Sequence, residues 1–445
     1  MPEIKLTREE IFGGRLIAPM RQWLKKQGRD TQNYPYNDDM AIITHYLQNK
    51  NIEAYREQAI CKMKDYYRAL HSLDAEAPVS DDEAEAIFED WNQAKLCQMY
   101  KDNHSFTFVD LFAGIGGFRI ALEQLGGKCV YASEFNTIAQ KSYGMNHGVI
   151  PFGDITKEKN KALVPEHVDV LCAGFPCQPF SMAGLRRGFT DQTKGTLFFD
   201  LAKIIRDKRP HIILLENVPG LMSIHDRDES GNKTDRKTIT TILDILRNEL
   251  HYNVPEPEIL NACHFGVPQN RDRVFIVGFR DEDASNYQYP HSNGKVKYFK
   301  EIRETGEVDS RYFMSARYWK TLVDHREAQR AKGRGYGYCK VKDDEFGHTL
   351  MVGGMGLERN LVEDTNHIDF SDVNDRRGEL NQAHIRVLTE RECKLMQGFP
   401  NEFDEKCVGR SSVYDQFGNS VAVPVVNEVA RTLLEYADIR RENHI

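Results

Sequence analysis

The pattern of apolar and polar positions divides the chain near residue 105. Residues 1–104 are mostly polar, and their apolar side chains recur at helical spacing, for example at Met40, Ile43 and Leu47. This spacing predicts helices, and the pair Asp38–Asp39 is placed to cap the start of one of them. No motif in this region indicates a particular chemistry.

After residue 105, short β-rich runs alternate with amphipathic helical runs. The runs are FTFVDLF, GGFRIALEQLGG, CVYASE, VDVLCAG, HIILLEN and VFIVGF. Such alternation predicts an α/β fold, in which helices cover both faces of a doubly wound, mainly parallel sheet.

The order of these patterns predicts four parts. A helical module of unknown role (1–104) precedes the main α/β domain (105–290). A smaller domain (291–411) follows, which is Gly-rich, charged and irregular. The C-terminal segment (412–445) contains QFGNSVAVPVVNEVARTLLEYA, which predicts a strand-like run and an amphipathic helix that returns to the α/β domain.

Charge is distributed unevenly over the 445 residues, whose net charge of −8 argues only weakly against a polyanionic partner. Residues 74–90 carry eight acidic and no basic side chains, which is typical of a solvated linker or helix face. Residues 311–342 carry nine Lys or Arg against two acidic residues, interleaved with aromatic side chains. This stretch is a candidate surface for the phosphate backbone of a nucleic acid.

The cysteines and the apolar runs bear on location. Nine cysteines, an odd number without paired metal-ligand spacing, indicate a reducing compartment and no structural metal. The N-terminus lacks an apolar signal core, and no run of about 18 apolar residues occurs. We therefore expect a cytoplasmic protein without a membrane partner.

A glycine loop follows the first predicted strand. Gly114, Gly116 and Gly117 stand at a strand-to-helix turn, where backbone N–H groups can approach a ligand closely. The next strand ends at Glu134, about twenty residues later, where a carboxylate can accept hydrogen bonds from both ribose hydroxyls. This pattern also suits a nicotinamide dehydrogenase, but Arg119 occupies the place of the third glycine of the dinucleotide fingerprint. A nucleoside without a pyrophosphate, such as S-adenosylmethionine, therefore fits the loop better.

Asp154, in the segment FGDI, stands at the end of a further strand. It can accept a hydrogen bond from an adenine amino group. A helix cap before ITKEKNKALV is an equally good interpretation of this residue.

A thiol and a carboxylate follow two other predicted strands. VDVLCAG leads to Pro176 and Cys177, and HIILLEN ends at Glu216 and Asn217. In an open α/β sheet the active cleft lies at the carboxyl ends of the strands, so these side chains are expected at the same edge as the glycine loop. A free cysteine is only a few per cent thiolate at neutral pH, so a catalytic Cys177 requires surroundings that favour the anion.

The motifs resemble those of the DNA (cytosine-5) methyltransferases over roughly residues 104–440. In the family's order they are DLFAGIGG, SEF, GDI, GFPCQPFS, ENV, QNRDR, RVLTERECKLMQGFP and QFGNSVAVPV. Within the family the chain is most similar to the HpaII-type enzymes, particularly through GYGY and GGMGLERNLVED. The first 100 residues have no counterpart in the minimal family pattern.

The resemblance implies a function and a set of catalytic roles. The enzyme would transfer a methyl group from S-adenosylmethionine to C5 of a cytosine swung out of duplex DNA, in a site expected to be CCGG. Cys177 would attack C6, Glu216 would protonate or hydrogen-bond N3, and Arg273 would hold O2. Arg271 would support Glu216 or the thiolate.

The resemblance also implies binding residues, without a metal. Those expected at the cofactor are Phe112, Ala113, Gly114, Ile115, Gly116, Glu134, Phe135, Asp154, Ile155, Pro176, Leu197, Asn419 and Val421. The loop SMAGLRRGFTDQTKGT, with Arg186 and Arg187, would close over DNA. Residues 291–411 would be the target-recognition domain, with Arg334 and Arg359 as candidate DNA-binding residues that can also be read as structural arginines. A monomer is expected, with double-stranded DNA as partner and a restriction endonuclease of the same specificity as companion.

Two alternatives differ in substrate or in activity. An RNA cytosine-5 methyltransferase shares the chemistry, but PCQPFS and a domain of about 120 residues after the α/β domain favour DNA. A non-catalytic regulator that binds DNA would not require Cys177, Glu216 and Arg273 together.

Overall fold

The computed structural model describes residues 6–29, 31, 34–92, 95–100, 104–176, 197–228, 230, 232–353, 357–365 and 378–438. The strands are β1 Phe106–Leu111, β2 Gly127–Ser133, β3 Val170–Gly174, β4 Ile212–Asn217, β5 His225–Arg227, β6 Lys233–Lys237, β7 Glu258–Asn261, β8 Gln269–Asn270, β9 Asp272–Phe279, β10 Gly347–His348, β11 Val362–Glu363 and β12 Ile385–Arg386. Within this part of the chain, six strands form the central sheet in the order β2-β1-β3-β4-β9-β7.

The strand directions place the predicted chemistry at one edge of the sheet. Strands β2, β1, β3 and β4 pair in parallel. Strand β9 runs antiparallel to both β4 and β7. The start of β9 therefore meets the carboxyl end of β4, with Val274 opposite Asn217. Residues that precede β9 consequently reach the same edge as residues that follow the parallel strands.

Helices flank this sheet and build the N-terminal region. The α-helices are α1 Arg8–Phe12, α2 Ile17–Lys26, α3 Tyr36–Gln48, α4 Glu53–Leu70, α5 Asp81–Ala86, α6 Lys95–Met99, α7 Gly117–Glu123, α8 Thr137–His147, α9 Glu158–Ala162, α10 Leu197–Lys208, α11 Thr238–Asp244, α12 Ala316–Ala331, α13 Glu390–Met396, α14 Arg410–Asn419 and α15 Val423–Tyr436. Helix α3 begins before Asp38 and has Pro35 at its N-cap, so Asp38 and Asp39 lie in its first turn and do not cap it.

The N-terminal helices do not pack as a separate module. Their buried apolar side chains, such as Ile43 and Tyr55, belong to the same core cluster as Val109 and Tyr131 of the central sheet. Burial of such side chains supplies most of the favourable free energy of folding. The N-terminal helices and this face of the sheet therefore share one core.

Residues 291–411 contain a small apolar core of their own, which includes Phe313, Leu322 and Ile385. Other side chains of this range, such as Leu350, join the core on the second face of the sheet. The boundaries 290/291 and 411/412 remain predictions. The strand-like run expected after residue 415 is absent from the described residues, because helices α14 and α15 meet there across a short loop.

Helix α15 packs against helix α7, where Asn427 Nδ2 donates to the Ala121 carbonyl at 3.0 Å. The apolar face of α15 is buried, as the amphipathic pattern predicted. None of the helices described combines the length and the apolar character that crossing a membrane requires.

Candidate active site

A cavity of about 770 Å³ opens at the carboxyl edge of the sheet. It lies between the ends of β1 to β4 and the junction of α14 with α15. The predicted site residues that line it are Phe112, Ala113, Gly114, Ile115, Glu134, Phe135, Asp154, Ile155, Pro176, Leu197, Glu216, Arg273, Asn419 and Val421. The cavity therefore collects in one place side chains that are spread over most of the α/β part of the chain.

The glycine loop is shaped by close contacts on its buried side. Gly114 has a φ of +56°, and a Cβ there would meet nothing within 4 Å, so its open side faces free space. Gly116 has a φ of +89°, and a Cβ there would lie 2.2 Å from His147 Nε2. Gly116 was predicted as a cofactor residue, but it does not line the cavity. Its hydrogen side chain is required for packing.

Glu134 is tied to the glycine loop. Its Oε2 accepts the Gly114 N–H at 2.8 Å, and its Oε1 accepts the Asn136 N–H at 2.7 Å. Burial raises the pKa of Glu134, while these backbone donors act in the opposite direction. Phe135 stands next to it with 77% of its surface exposed, so an aromatic ring is presented at the cavity.

Asp154 lines the cavity, and one of its carboxylate oxygens accepts hydrogen bonds within a local turn. Asp154 Oδ1 accepts the Thr156 N–H at 2.9 Å and the Thr156 hydroxyl at 2.7 Å. Helix α9 begins later and has Lys157 at its N-cap, so Asp154 is not the cap of that helix.

Glu216 and Arg273 form a buried ion pair on the cavity wall. Arg273 Nε lies 2.9 Å from Glu216 Oε1, and Glu216 is 8% exposed. Burial raises the pKa of the Glu216 carboxyl, while Arg273 and Arg271 oppose this shift. The antiparallel direction of β9 brings Arg273 to this position. The raised pKa means that this carboxyl takes up a proton more readily than a free glutamate does.

Arg271 has a different position from the one expected. It is buried, and its guanidinium donates to the Leu350 carbonyl at 3.1 Å and to the Gly418 carbonyl at 3.0 Å. It makes no hydrogen bond to Glu216 and does not line the cavity. Arg271 therefore joins two backbone segments and acts on Glu216 only through its charge.

Asn217 is a site residue to which the sequence analysis assigned no role. Its Nδ2 donates to the Phe175 carbonyl at 2.8 Å, one residue before Pro176. Asn217 thereby fixes the backbone that leads into Cys177. Its place directly after Glu216, at the end of a predicted strand, is the sequence signal that could have indicated this role.

The C-terminal wall of the cavity also went largely unpredicted. Besides Asn419 and Val421, it includes Ser412, Asp415 and Gln416 of helix α14. The segment QFGN had been assigned to a strand-like run, so this helical face was missed.

Cys177, Arg186 and Arg187 lie outside the described residues. Two other cysteines of the α/β core, Cys172 and Cys263, are buried and do not line the cavity. Cys172 Sγ donates to the Val109 carbonyl at 3.2 Å, and burial raises the pKa of this thiol well above its ordinary value. Neither the position nor the protonation of Cys172 suits a nucleophile.

Arg334 and Arg359 do not line the cavity. Arg334 is exposed just after helix α12, and Arg359 is half-buried. Their roles in DNA binding remain predictions.

Comparison with known proteins identifies the family of this site. The family model for C-5 cytosine-specific DNA methylases matches residues 106–435. The chain belongs to this family. It is 50% identical over 331 residues to the type II methyltransferase M.HpaII of Haemophilus parainfluenzae, covering 74% of this chain and 89% of that protein. It is 39% identical over 344 residues to the type II methyltransferase M.DsaV of Dactylococcopsis salina, covering 77% and 89%.

Solved structures support the fold. The S. pombe Dnmt2 methyltransferase matches with a TM-score of 0.54 and 21% identity, covering 74% of this chain and 98% of that one. These matches confirm the predicted fold class, and the family confirms the predicted enzyme class, a DNA (cytosine-5) methyltransferase. The family match begins at residue 106, so the N-terminal helices lie outside it.

Proposed function

We propose that this enzyme transfers a methyl group from S-adenosylmethionine to C5 of the inner cytosine of CCGG in duplex DNA, through a covalent adduct with Cys177. The observation that carries the proposal is the buried pair of Glu216 and Arg273 on the wall of a cavity that also holds Glu134. Together they provide a proton carrier in the same cavity as a carboxylate suited to binding a nucleoside, and Pro176, the residue before Cys177, also lines this cavity.

The cavity fits the proposed methyl donor. The open side of Gly114 leaves room for a ligand against the loop, and Glu134 retains lone pairs for ribose hydroxyls. Phe135 offers a ring face for a purine, and Asp154 Oδ2 is available to its amino group. When bound, S-adenosylmethionine supplies a methyl group made electrophilic by its sulfonium.

Catalysis then follows from this chain's own groups. The Cys177 thiolate adds to C6 of the cytosine. The π pair of the C5–C6 bond then forms a C4–C5 double bond, and the π pair of the C4–N3 bond moves to N3, which accepts a proton. Glu216 holds the proton at N3, and Arg273 stabilises O2, so C5 becomes nucleophilic. C5 bonds to the methyl group as the bond between that methyl and the sulfonium sulfur breaks, which leaves a neutral thioether. The C5 proton passes to water, which restores the C5–C6 double bond and expels the Cys177 sulfur as a thiolate, while Glu216 recovers the proton from N3.

The target base must leave the duplex to reach this cavity. Base extrusion costs a few kcal/mol, which contacts to the phosphates and to the vacated stack must offset. We assign this task to the loop of Arg186 and Arg187 and to the basic residues 311–342, with Arg334 and Arg359 as candidates. The similarity to M.HpaII supports CCGG as the site and a role in a restriction-modification system. We propose that the enzyme acts as a cytoplasmic monomer.

The test is methylation of a plasmid that encodes the enzyme in a host without cytosine methylation. We expect the plasmid to resist a CCGG-cutting endonuclease and bisulfite sequencing to report protection of the inner cytosine. Plasmid from a Cys177→Ala control should be cut completely. Protection at other sequences would refute CCGG, and the absence of any protected cytosine would refute the function.

A further inference from the structure

Helix α3 lies against β2, the edge strand of the central sheet, behind the cavity wall. An edge strand leaves backbone N–H and C=O groups without strand partners. Here side chains from the N-terminal helices satisfy two of these groups. His45 Nε2 accepts the Ala132 N–H at 3.0 Å, and the Tyr55 hydroxyl donates to the Val130 carbonyl at 2.8 Å.

His45 is suited to this contact because it stays neutral. Burial lowers the pKa of His45 to about 3, so the ring is uncharged at neutral pH. Its Nδ1–H donates to the Ala41 carbonyl at 2.8 Å, which leaves Nε2 as the acceptor. The ring also stacks on Phe152, with centroids 4.2 Å apart. His45 thus holds strand β2 near its carboxyl end, two residues before Glu134.

The first turn of α3 reaches the backbone of Glu134 through one intermediate residue. Asn37 Nδ2 donates to Gln140 Oε1 at 3.1 Å, and Gln140 Nε2 donates to the Glu134 carbonyl at 2.7 Å. The neighbouring Asp38 accepts from Lys159 Nζ at 2.6 Å, on the segment that follows Asp154. One helical turn therefore contacts Gln140, which binds the backbone of Glu134, and Lys159, which lies five positions after Asp154.

The last turn of α3 reaches the glycine loop. Gln48 Nε2 donates to the His147 carbonyl at 2.7 Å, and the His147 ring donates to the Ile115 carbonyl at 3.1 Å. Gln48 Oε1 accepts from Arg119 Nη2 at 2.9 Å, on the helix that the loop begins. Gln48 thus binds both His147, which contacts the glycine loop, and Arg119, which lies on the helix after the loop.

We propose that helix α3 is a positioning element of the S-adenosylmethionine site. Through Asn37 it fixes Glu134, and through Gln48 it fixes the glycine loop. These two walls are also joined directly, by the bond from Gly114 to Glu134. A site held in its binding geometry before the ligand arrives binds more tightly, because less ordering remains to be done. This inference rests on the proposed function of the cavity.

The test compares Asn37→Ala, Gln48→Met and the double variant with the full-length enzyme. Gln58→Met is the matched control, because Gln58 is exposed on the neighbouring helix α4. Calorimetry measures the Kd for S-adenosylmethionine without DNA, and kinetics measure KM for DNA and kcat at saturating donor. We expect a Kd about threefold higher in each single variant and about tenfold higher in the double variant. KM for DNA, and kcat at saturating donor, should stay within about twofold.

The outcomes separate this inference from the proposed function. An unchanged Kd in a double variant that melts cooperatively would overturn the positioning role, even if the enzyme methylates DNA normally. A parallel rise of both Kd and KM for DNA would indicate general damage and would also overturn it. Should the unmodified enzyme bind no S-adenosylmethionine, the proposed function itself fails, and the inference with it.

Discussion

The residues of the cavity wall and those of the N-terminal helices behind it differ in how well local sequence patterns predict their roles. The wall is built from contiguous motifs at strand ends, where Glu134, Glu216 and the glycine loop each stand in a distinctive local context. The supporting helices use single polar side chains, such as Gln48 and His45, whose partners lie far along the chain. Local sequence patterns therefore predict the residues that line the site. The residues that support them can be identified only from the folded structure.

Removal of residues 1–99 should have the largest effect of the changes considered, because both stability and binding should be lost. The truncation would expose the face of the sheet that holds Val109, Leu111 and Tyr131. Exposure of each large apolar side chain lowers the free energy of unfolding by about 1.5–3 kcal/mol. The total free energy of unfolding of a protein is only about 5–15 kcal/mol. We expect a fragment that aggregates or melts without cooperativity and does not bind S-adenosylmethionine. A soluble fragment with cooperative melting and full methyl transfer would show that the two regions are independent.

Glu216→Gln should impair catalysis at the cavity wall and leave the packing of the N-terminal helices unchanged. The amide cannot carry the proton at N3, so we expect kcat to fall by about 10²–10⁴. The Kd for S-adenosylmethionine should change by less than about twofold. The control is Glu57→Gln, an exposed substitution on α4, which should change neither kcat nor this Kd. Single-turnover methylation of duplex DNA measures the effect. A variant that keeps more than about a tenth of the activity would rule out Glu216 as the proton carrier.

Asn217→Ala should have an intermediate effect, because Asn217 holds the backbone at Phe175, two residues before Cys177 in the chain. Loss of its bond to Phe175 leaves a carbonyl without this partner, at a cost of about 1–3 kcal/mol. We expect kcat to fall about tenfold. Asn253→Ala removes a bond of the same length and type, from Nδ2 to the Glu282 carbonyl at 2.8 Å. That bond is exposed and Asn253 does not line the cavity, so kcat should stay unchanged. Equal losses in both variants would argue against a positioning role.

The smallest effect concerns stability against pH. Burial raises the pKa of Glu216 in the folded enzyme above its ordinary value of about 4.3, so the native state binds this proton more tightly than the unfolded state does. The resulting stabilisation is complete below the ordinary pKa and is lost as pH rises through the folded-state value. The Tm of Glu216→Gln minus that of the unmodified enzyme should therefore grow from pH 4 to pH 8, by a few degrees. A difference that shrinks with rising pH would reverse the assigned direction.

The parts of the fold that follow from local pattern were predictable from sequence. The run HIILLEN coincides with β4, and Glu216 stands at its end as expected. The direction of β9 was not predictable, because it depends on pairing with β4 and β7. The position of Arg271 depends on carbonyls of residues 350 and 418, which no local pattern connects to it. The segment QFGN reads as strand-like, but tertiary packing makes it the end of helix α14.

The most direct test of the account is trapping of the enzyme on DNA that carries 5-fluorocytosine at the inner position of CCGG. Fluorine at C5 leaves no proton to be lost after methyl transfer, so the bond from Cys177 to C6 cannot be broken by elimination. We predict a complex that survives denaturing electrophoresis, forms only with S-adenosylmethionine present, and maps to Cys177. Cys177→Ala should bind the DNA without forming it. Attachment of the DNA to the sulfur of Cys172 or Cys263, or methylation by Cys177→Ala, would contradict this mechanism.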